Sequence, residues 1–312
     1  MQDKTTPYKR SVPKSTWLLA CICVVLMVVT AGVGWVAFSY EPSKPSEAKV
    51  DGASVRLGLP GFIKNADDHE LSAKSAILLN TTDDSIAFEH NGFDRRPIAS
   101  ITKLMTAMVA IDHKINLEQE GDILPNEYVI GGQFILHPGE KATMRDLLAA
   151  SLVGSANNAT LAYVRQLGIP EEEFVREMNR KAITLGLEQT EFFDVTGLNP
   201  KNTSTAYEVA KLAKEAFTNY PIIADLTAQT GYDFVAIGSG REHTIKNTNK
   251  LISEWGITST GSKTGFLYEA EYCLVMRGGE GKENSIAVVL GSPTEYDHFA
   301  DTQKLLTLSF AQ

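Results

Sequence analysis

Beyond residue 70 the chain switches between two hydrophobic periods. Residues 74–80 (KSAILLN) and 85–90 (SIAFEH) are short β-prone runs on either side of Thr82-Asp83-Asp84, a pattern that predicts a hairpin. Residues 99–112 change to helical spacing, with Ile101, Leu104, Met105, Met108 and Val109 on one face. Thr143 with Asp146 reads as a capping box opening a helix with Met144, Leu147, Leu148 and Leu152 inward. A further helix is predicted over 170–185, stopped by Gly186. Another begins at a second capping box, Thr205 with Glu208, ahead of Val209, Leu212, Ala213 and Phe217. Strand-like runs return at 232–238, 241–245, 270–276 and 284–290, and a last helix covers about 296–310. This order predicts an α/β (α+β) fold. One mainly antiparallel sheet is assembled from both ends of the domain, with helices on its faces and a helical insertion.

The N-terminal part follows another pattern. Residues 16–40 carry no charge and are mostly apolar, long enough to cross a bilayer with some tilt, with Trp17, Trp35 and Tyr40 toward the ends. Lys4, Lys9, Arg10 and Lys14 precede the run against one acid, Asp3, so the positive-inside rule places residues 1–15 in the cytoplasm and the main body outside. A cleaved signal peptide is the rival reading, but the run exceeds the usual ~7–15 apolar residues, and Tyr40-Glu41-Pro42 is a poor cleavage context. Residues 41–62, rich in Pro, Ser and Gly, read as a tether, and 63–312 as the globular domain.

Of the formal net charge of −9, the first forty residues contribute +3, leaving −12 on the rest. An acidic body argues against nucleic acid as a partner. Cys21 and Cys23 lie in the apolar run and Cys273 stands alone beyond it, so the main body has no disulfide framework. The apolar neighbours of Cys273 predict a buried, inert thiol. Six histidines show no metal-ligand spacing, and no metal or cofactor is expected. N-x-S/T at Asn80, Asn158 and Asn202 is read as chance.

Three short motifs carry the chemistry. Ser100-Ile101-Thr102-Lys103 is S-x-x-K, Ser155-Ala156-Asn157 is S-x-N, and Lys263-Thr264-Gly265, just before a strand, is K-T-G. S-x-x-K also occurs at Ser11 and Ser46, but outside any amphipathic helix, and both are read as accidental. Ser100 opens a helix, so Lys103 shares its face. A lysine packed between core helices loses solvation, which lowers its pKa and suits it to act as a base. Lys263, across the cleft, is expected to keep its charge.

With these motifs in place, residues 70–310 resemble the low-molecular-weight penicillin-binding proteins that are serine D-alanyl-D-alanine carboxypeptidases. The resemblance runs through 95–107 (RRPIASITKLMTA), 137–160 (HPGEKATMRDLLAASLVGSANNAT), 196–213 (TGLNPKNTSTAYEVAKLA), 245–252 (IKNTNKLI) and 259–266 (STGSKTGF). It implies a β-lactamase/transpeptidase-like fold. It also implies hydrolysis of peptidoglycan stem peptides ending in D-Ala-D-Ala through an acyl-Ser100 intermediate, and acylation by β-lactam antibiotics. Lys103 would take the Ser100 proton. Ser155 would relay a proton to the leaving amine, and Asn157 would contact the substrate amide. Lys263 and Thr264, followed by Gly265, would hold the substrate carboxylate, and the backbone N–H groups of Ser100 and Phe266 would form the oxyanion hole. The lipid bilayer is the second partner, through residues 16–40, which would replace the C-terminal anchor of many relatives.

Related carboxypeptidases often place a carboxylate-binding arginine after the last strand; residues 291–299 (GSPTEYDHF) offer none, which leaves DD-endopeptidase cleavage of cross-links open. A β-lactamase would need a water-activating base, commonly Glu, but residues 192–200 (FFDVTGLNP) hold only Asp194. A non-catalytic wall-binding protein is disfavoured by three complete motifs.

Overall fold

The computed structural model describes residues 71–278 and 285–310; the apolar run at 16–40, its basic flank, the tether, Cys21 and Cys23 lie outside the described residues. No helix among the described residues is long and apolar enough to cross a membrane.

Strand β1 (Ser75–Asn80) turns into β2 (Ile86–His90), the predicted hairpin. A short β3 (Arg96–Pro97) and a 3-10 turn (Ala99–Ile101) lead into helix α1 (Thr102–Asp112). After β4 (Glu120–Gly121) and β5 (Ala142–Thr143) come α2 (Met144–Leu152), α3 (Asn157–Gln166) and α4 (Glu171–Thr184). Then follow β6 (Thr203–Ser204), α5 (Ala206–Asn219), α6 (Pro221–Thr227), β7 (Gly231–Val235), β8 (Glu242–Lys246) and the short α7 (Lys250–Ser253). The chain finishes with β9 (Gly261–Leu267), β10 (Glu271–Arg277), β11 (Ser285–Ser292) and α8 (Glu295–Phe310).

The main sheet has the order β2-β1-β11-β10-β9, antiparallel throughout, so the two ends of the domain meet where β1 pairs β11. Its central strands are apolar on both faces because both are covered. Ile77, Leu79, Cys273, Val275, Ile286, Val288 and Leu290 join the core shared with the helical region. The alternate residues Ala76, Leu78, Leu274, Met276, Ala287 and Val289 join a second core with Phe299, Leu305 and Leu306 of α8. Cys273 is fully buried, and burial pushes its thiol up to about 12. Asn158 and Asn202 are fully buried too, so neither is an exposed acceptor in the folded domain.

Several expectations need correction. Among the described residues β7 and β8 pair only with each other, forming a separate ribbon. Their side chains pack toward the helical region, where Ile245, Tyr232 and Phe234 join the first core. The K-T-G residues lie within strand β9, not ahead of it, because their ladder to β10 starts at Gly261. At Thr143 both capping-box bonds form. At Thr205 only one does: its hydroxyl accepts from the Glu208 N–H at 3.1 Å, while the Glu208 carboxylate accepts from Gln189 N and Thr190 Oγ1. A nearby loop offers more donors than the single N–H of the cap residue.

Candidate active site

The three motifs come from three separate elements and converge on one cleft of about 390 Å³, lined by Ser100, Ser155, Asn157, Thr264, Gly265 and Phe266 among others. Ser100 sits in the 3-10 turn that feeds α1, so Lys103 returns one turn later and its Nζ stands 2.8 Å from Ser100 Oγ. The preceding residue, Ala99, takes a φ of 45°, a left-handed conformation that non-glycine residues rarely adopt. S-x-N is placed by the turn between α2 and α3. Ser155 (φ 57°) precedes the N-terminus of α3, and Asn157, its first residue, lines the cleft. Asn157 Nδ2 donates to Ile130 O at 2.8 Å, while its Oδ1 accepts from Lys103 at 2.7 Å.

β9 is an edge strand, so its outward backbone groups face the cleft. It approaches the nucleophile turn so closely that a Cβ on Gly265 would lie 2.9 Å from Ile98 O and 3.2 Å from Ser100 N. Glycine is required there by contact, and the approach brings the backbone of Phe266 alongside Ser100. Lys263 reaches the same space from the strand, donating to Ser155 Oγ and to Thr264 O at 2.9 Å each. The Thr264 hydroxyl is paired with Thr248 Oγ1 at 2.6 Å.

Both lysines are enclosed: Lys103 is 0% and Lys263 1% exposed. Burial, reinforced by the positive charge of Lys263, holds the Lys103 ammonium well below its ordinary value, with Asp194 pulling the other way. Burial alone brings Lys263 down to about 7. Burial thus works against the expectation that Lys263 keeps its charge, and an anion joining it favours the ammonium again. Two buried ammonium groups cannot both stay charged, and Lys103, carrying both penalties, loses its proton first. Neutral Lys103 has two hydrogens and one lone pair. Asn157 Oδ1 at 2.7 Å and Thr196 O at 2.6 Å take the hydrogens, which leaves the lone pair for the Ser100 hydroxyl.

With this geometry the comparisons with known proteins agree. A family model described as D-alanyl-D-alanine carboxypeptidase matches residues 62–294. The chain belongs to that family of serine-type hydrolases. It is 31% identical over 293 residues to the D-alanyl-D-alanine carboxypeptidase DacF of Bacillus subtilis, covering 92% of this chain and 71% of DacF. It is 33% identical over 248 residues to the D-alanyl-D-alanine endopeptidase of Escherichia coli, covering 78% of each. The crystal structure of the Streptomyces K15 DD-transpeptidase aligns with a TM-score of 0.72 at 28% identity, over 78% of this chain and 98% of that one. The mixed α/β architecture, with an antiparallel sheet and flanking helices, is shared.

Within this carboxypeptidase-family cleft, several residues had escaped the reading of the sequence. Thr196 contributes only its carbonyl, which no side-chain motif can reveal. Thr248 lies in the IKNTNKLI stretch but outside the three motifs. Tyr272, Glu295, His298 and Phe299 form one wall at the place where related carboxypeptidases often carry an arginine; among the described residues lining the cleft none is Lys or Arg, and Lys250 stands behind this wall paired with Glu295 at 2.8 Å. The His298 ring stacks on Tyr272 at 5.4 Å, and burial lowers its pKa to about 4, so it is neutral at physiological pH. Asp194 does not line the cleft. It faces a separate hollow, and its carboxylate is occupied by the N–H groups of Thr196, Gly197 and Asn199. That is poor placement for a base that activates a deacylating water.

Proposed function

We propose that this chain hydrolyses peptidoglycan stem peptides ending in D-Ala-D-Ala through an acyl-Ser100 enzyme. The observation that carries this reading is the 2.8 Å contact between Lys103 Nζ and Ser100 Oγ, with the amine's two other partners, Asn157 Oδ1 and Thr196 O, both acceptors. Lys103 takes the hydroxyl proton as Ser100 Oγ bonds to the penultimate D-Ala carbonyl carbon. The backbone N–H groups of Ser100 and Phe266 receive the oxyanion, an arrangement typically contributing several kcal/mol. Ser155, 2.9 Å from Lys263 Nζ, relays the proton that Lys103 took from Ser100 to the departing amine as the C–N bond breaks, which returns Lys103 to its neutral form. Water then cleaves the ester and restores the serine. Lys263 and the Thr264 hydroxyl attract the terminal carboxylate, and a β-lactam, which also pairs a reactive carbonyl with a carboxylate, acylates the same oxygen.

One observation favours a second reading, cleavage of cross-linked stems. Among the described residues no Lys or Arg lines the cleft beside His298; the nearby Lys250 is tied up by Glu295 at 2.8 Å, and Glu269 also lines the cleft. Such a wall binds a free carboxylate weakly and accommodates a leaving group extended by a second stem. A pentapeptide stem and a cross-linked dimer, supplied in parallel to the full chain and to Ser100→Ala, separate the two readings. Intact-mass analysis with benzylpenicillin should give one adduct on Ser100 and none in the variant. An adduct persisting in Ser100→Ala overturns the assignment.

We further infer a single-pass anchor at residues 16–40 with the active site on the extracytoplasmic side, supported by the uncharged run and its basic flank. Mature protein from membranes should retain residues before Thr16. A new N-terminus between residues 30 and 60 in all molecules would contradict it.

A further inference from the structure

We propose that Asp194 is a positioning residue for the base: it shapes the loop that presents the Thr196 carbonyl to Lys103 and supplies a negative charge behind the amine. This rests on the acyl-Ser100 reading above. The lone pair of Lys103 points at Ser100 only if two acceptors hold its hydrogens. Asn157 supplies one from a side chain, but the other, Thr196 O at 2.6 Å, is a main-chain atom whose direction the loop alone decides.

That loop is wrapped around one carboxylate. Asp194 Oδ1 accepts from Thr196 N at 3.0 Å and Gly197 N at 2.6 Å, and Oδ2 accepts from Asn199 N at 2.7 Å. Asn202 Nδ2 donates to Asp194 Oδ1 at 3.0 Å and to Thr102 Oγ1 at 3.1 Å, tying the loop to the first turn of the helix that carries Lys103. At Gly197, with φ 86°, an added Cβ would lie 2.0 Å from Ala99 O, so the loop presses directly on the nucleophile turn. A carboxylate accepting three backbone N–H bonds fixes the shape of the loop wrapped around it.

The charged groups acting on Lys103 are Lys263 from β9, which lowers its pKa, and Asp194, which raises it. Asp194 is faced in turn by Glu171 from α4, whose carboxyl is pushed up by burial and by the Asp194 charge. Without Asp194 the amine would lose its proton more readily and point less well. A purely structural loop residue would change the second property alone.

The test uses the full chain as Asp194→Asn and Asp194→Glu, with benzylpenicillin acylation rates followed from about pH 5 to about pH 10 and thermal melts as controls. Asp194→Asn should lower the plateau rate about tenfold or more. Its acidic limb should move to lower pH, because a charge that favoured protonated Lys103 is gone. Asp194→Glu keeps the charge but displaces it by a methylene, so its plateau should fall while the limb stays. A plateau and limb equal to the parent's in Asp194→Asn, or a fallen plateau with an unmoved limb, overturns the proposal. If Asp194→Asn does not melt cooperatively, Asp194→Glu decides: a parent-like plateau there overturns it. A parent chain that takes no penicillin overturns the functional reading itself, a result visible before either variant is made.

Discussion

Replacing Lys263 by arginine should remove one limb of the acylation pH profile. Lys263 falls from an ordinary 10.5 to about 7 because it is buried. At 1.36 kcal/mol per unit, that drop represents about 5 kcal/mol of lost solvation. A substrate carboxylate about 4 Å away, at an effective dielectric near 20, returns about 4 kcal/mol. The bound ammonium therefore recovers most of its ordinary pKa, while the free one does not. Second-order acylation reports the free enzyme, so in the parent it should fall about tenfold per pH unit on the alkaline side of about pH 7. Guanidinium does not deprotonate in proteins, and in Lys263→Arg the alkaline limb should vanish up to about pH 10, with a lower plateau from the bulkier head. The assay is the benzylpenicillin adduct rate against pH, with melts at each pH to exclude unfolding. A parent limb well above pH 9, or the same limb in Lys263→Arg, would refute the account of Lys263 as a cation weakened by burial.

Lys103→Arg keeps a cation but loses the base, and should slow acylation by about 10²–10⁴ while the fold survives with a lowered melting temperature; a near-parent rate would mean that the proton leaves Ser100 by another path, such as Ser155. Glu140 Oε1 accepts from Ser239 Oγ and Arg241 Nε, and Oε2 accepts from His137 N and lies 3.1 Å from His243 Nε2, joining the β7–β8 ribbon to the loop before β5. These bonds bring its pKa from 4.5 to about 2 against the opposing effect of burial, so its stabilisation is present above 4.5 and is lost as pH falls toward 2. Glu140→Ala should melt earlier than the parent at neutral pH, and the gap should close as pH falls through that window; a gap independent of pH would contradict the linkage.

The sequence by itself determined the hairpin, five of the helices (α1, α2, α4, α5 and α8) and the identity of the motif residues, because those follow from period, caps and spacing within a few turns of chain; α3, α6 and α7 emerged only in the structure. Ser100 and Lys103 are three residues apart, so helical geometry alone puts them together. It could not say which strands share a sheet. β7 and β8 have the composition of sheet strands, yet among the described residues they pair with each other and not with the main sheet. Nor could it give the charge of Lys263, which depends on burial by segments distant in the chain. The Thr196 carbonyl and the Asp194 carboxylate are the clearest cases. One is a main-chain atom present at every residue, and the other acts through a loop folded around it. Local periodicity selects elements, but solvation and the direction of a carbonyl are set only when residues remote in sequence close around the same few atoms.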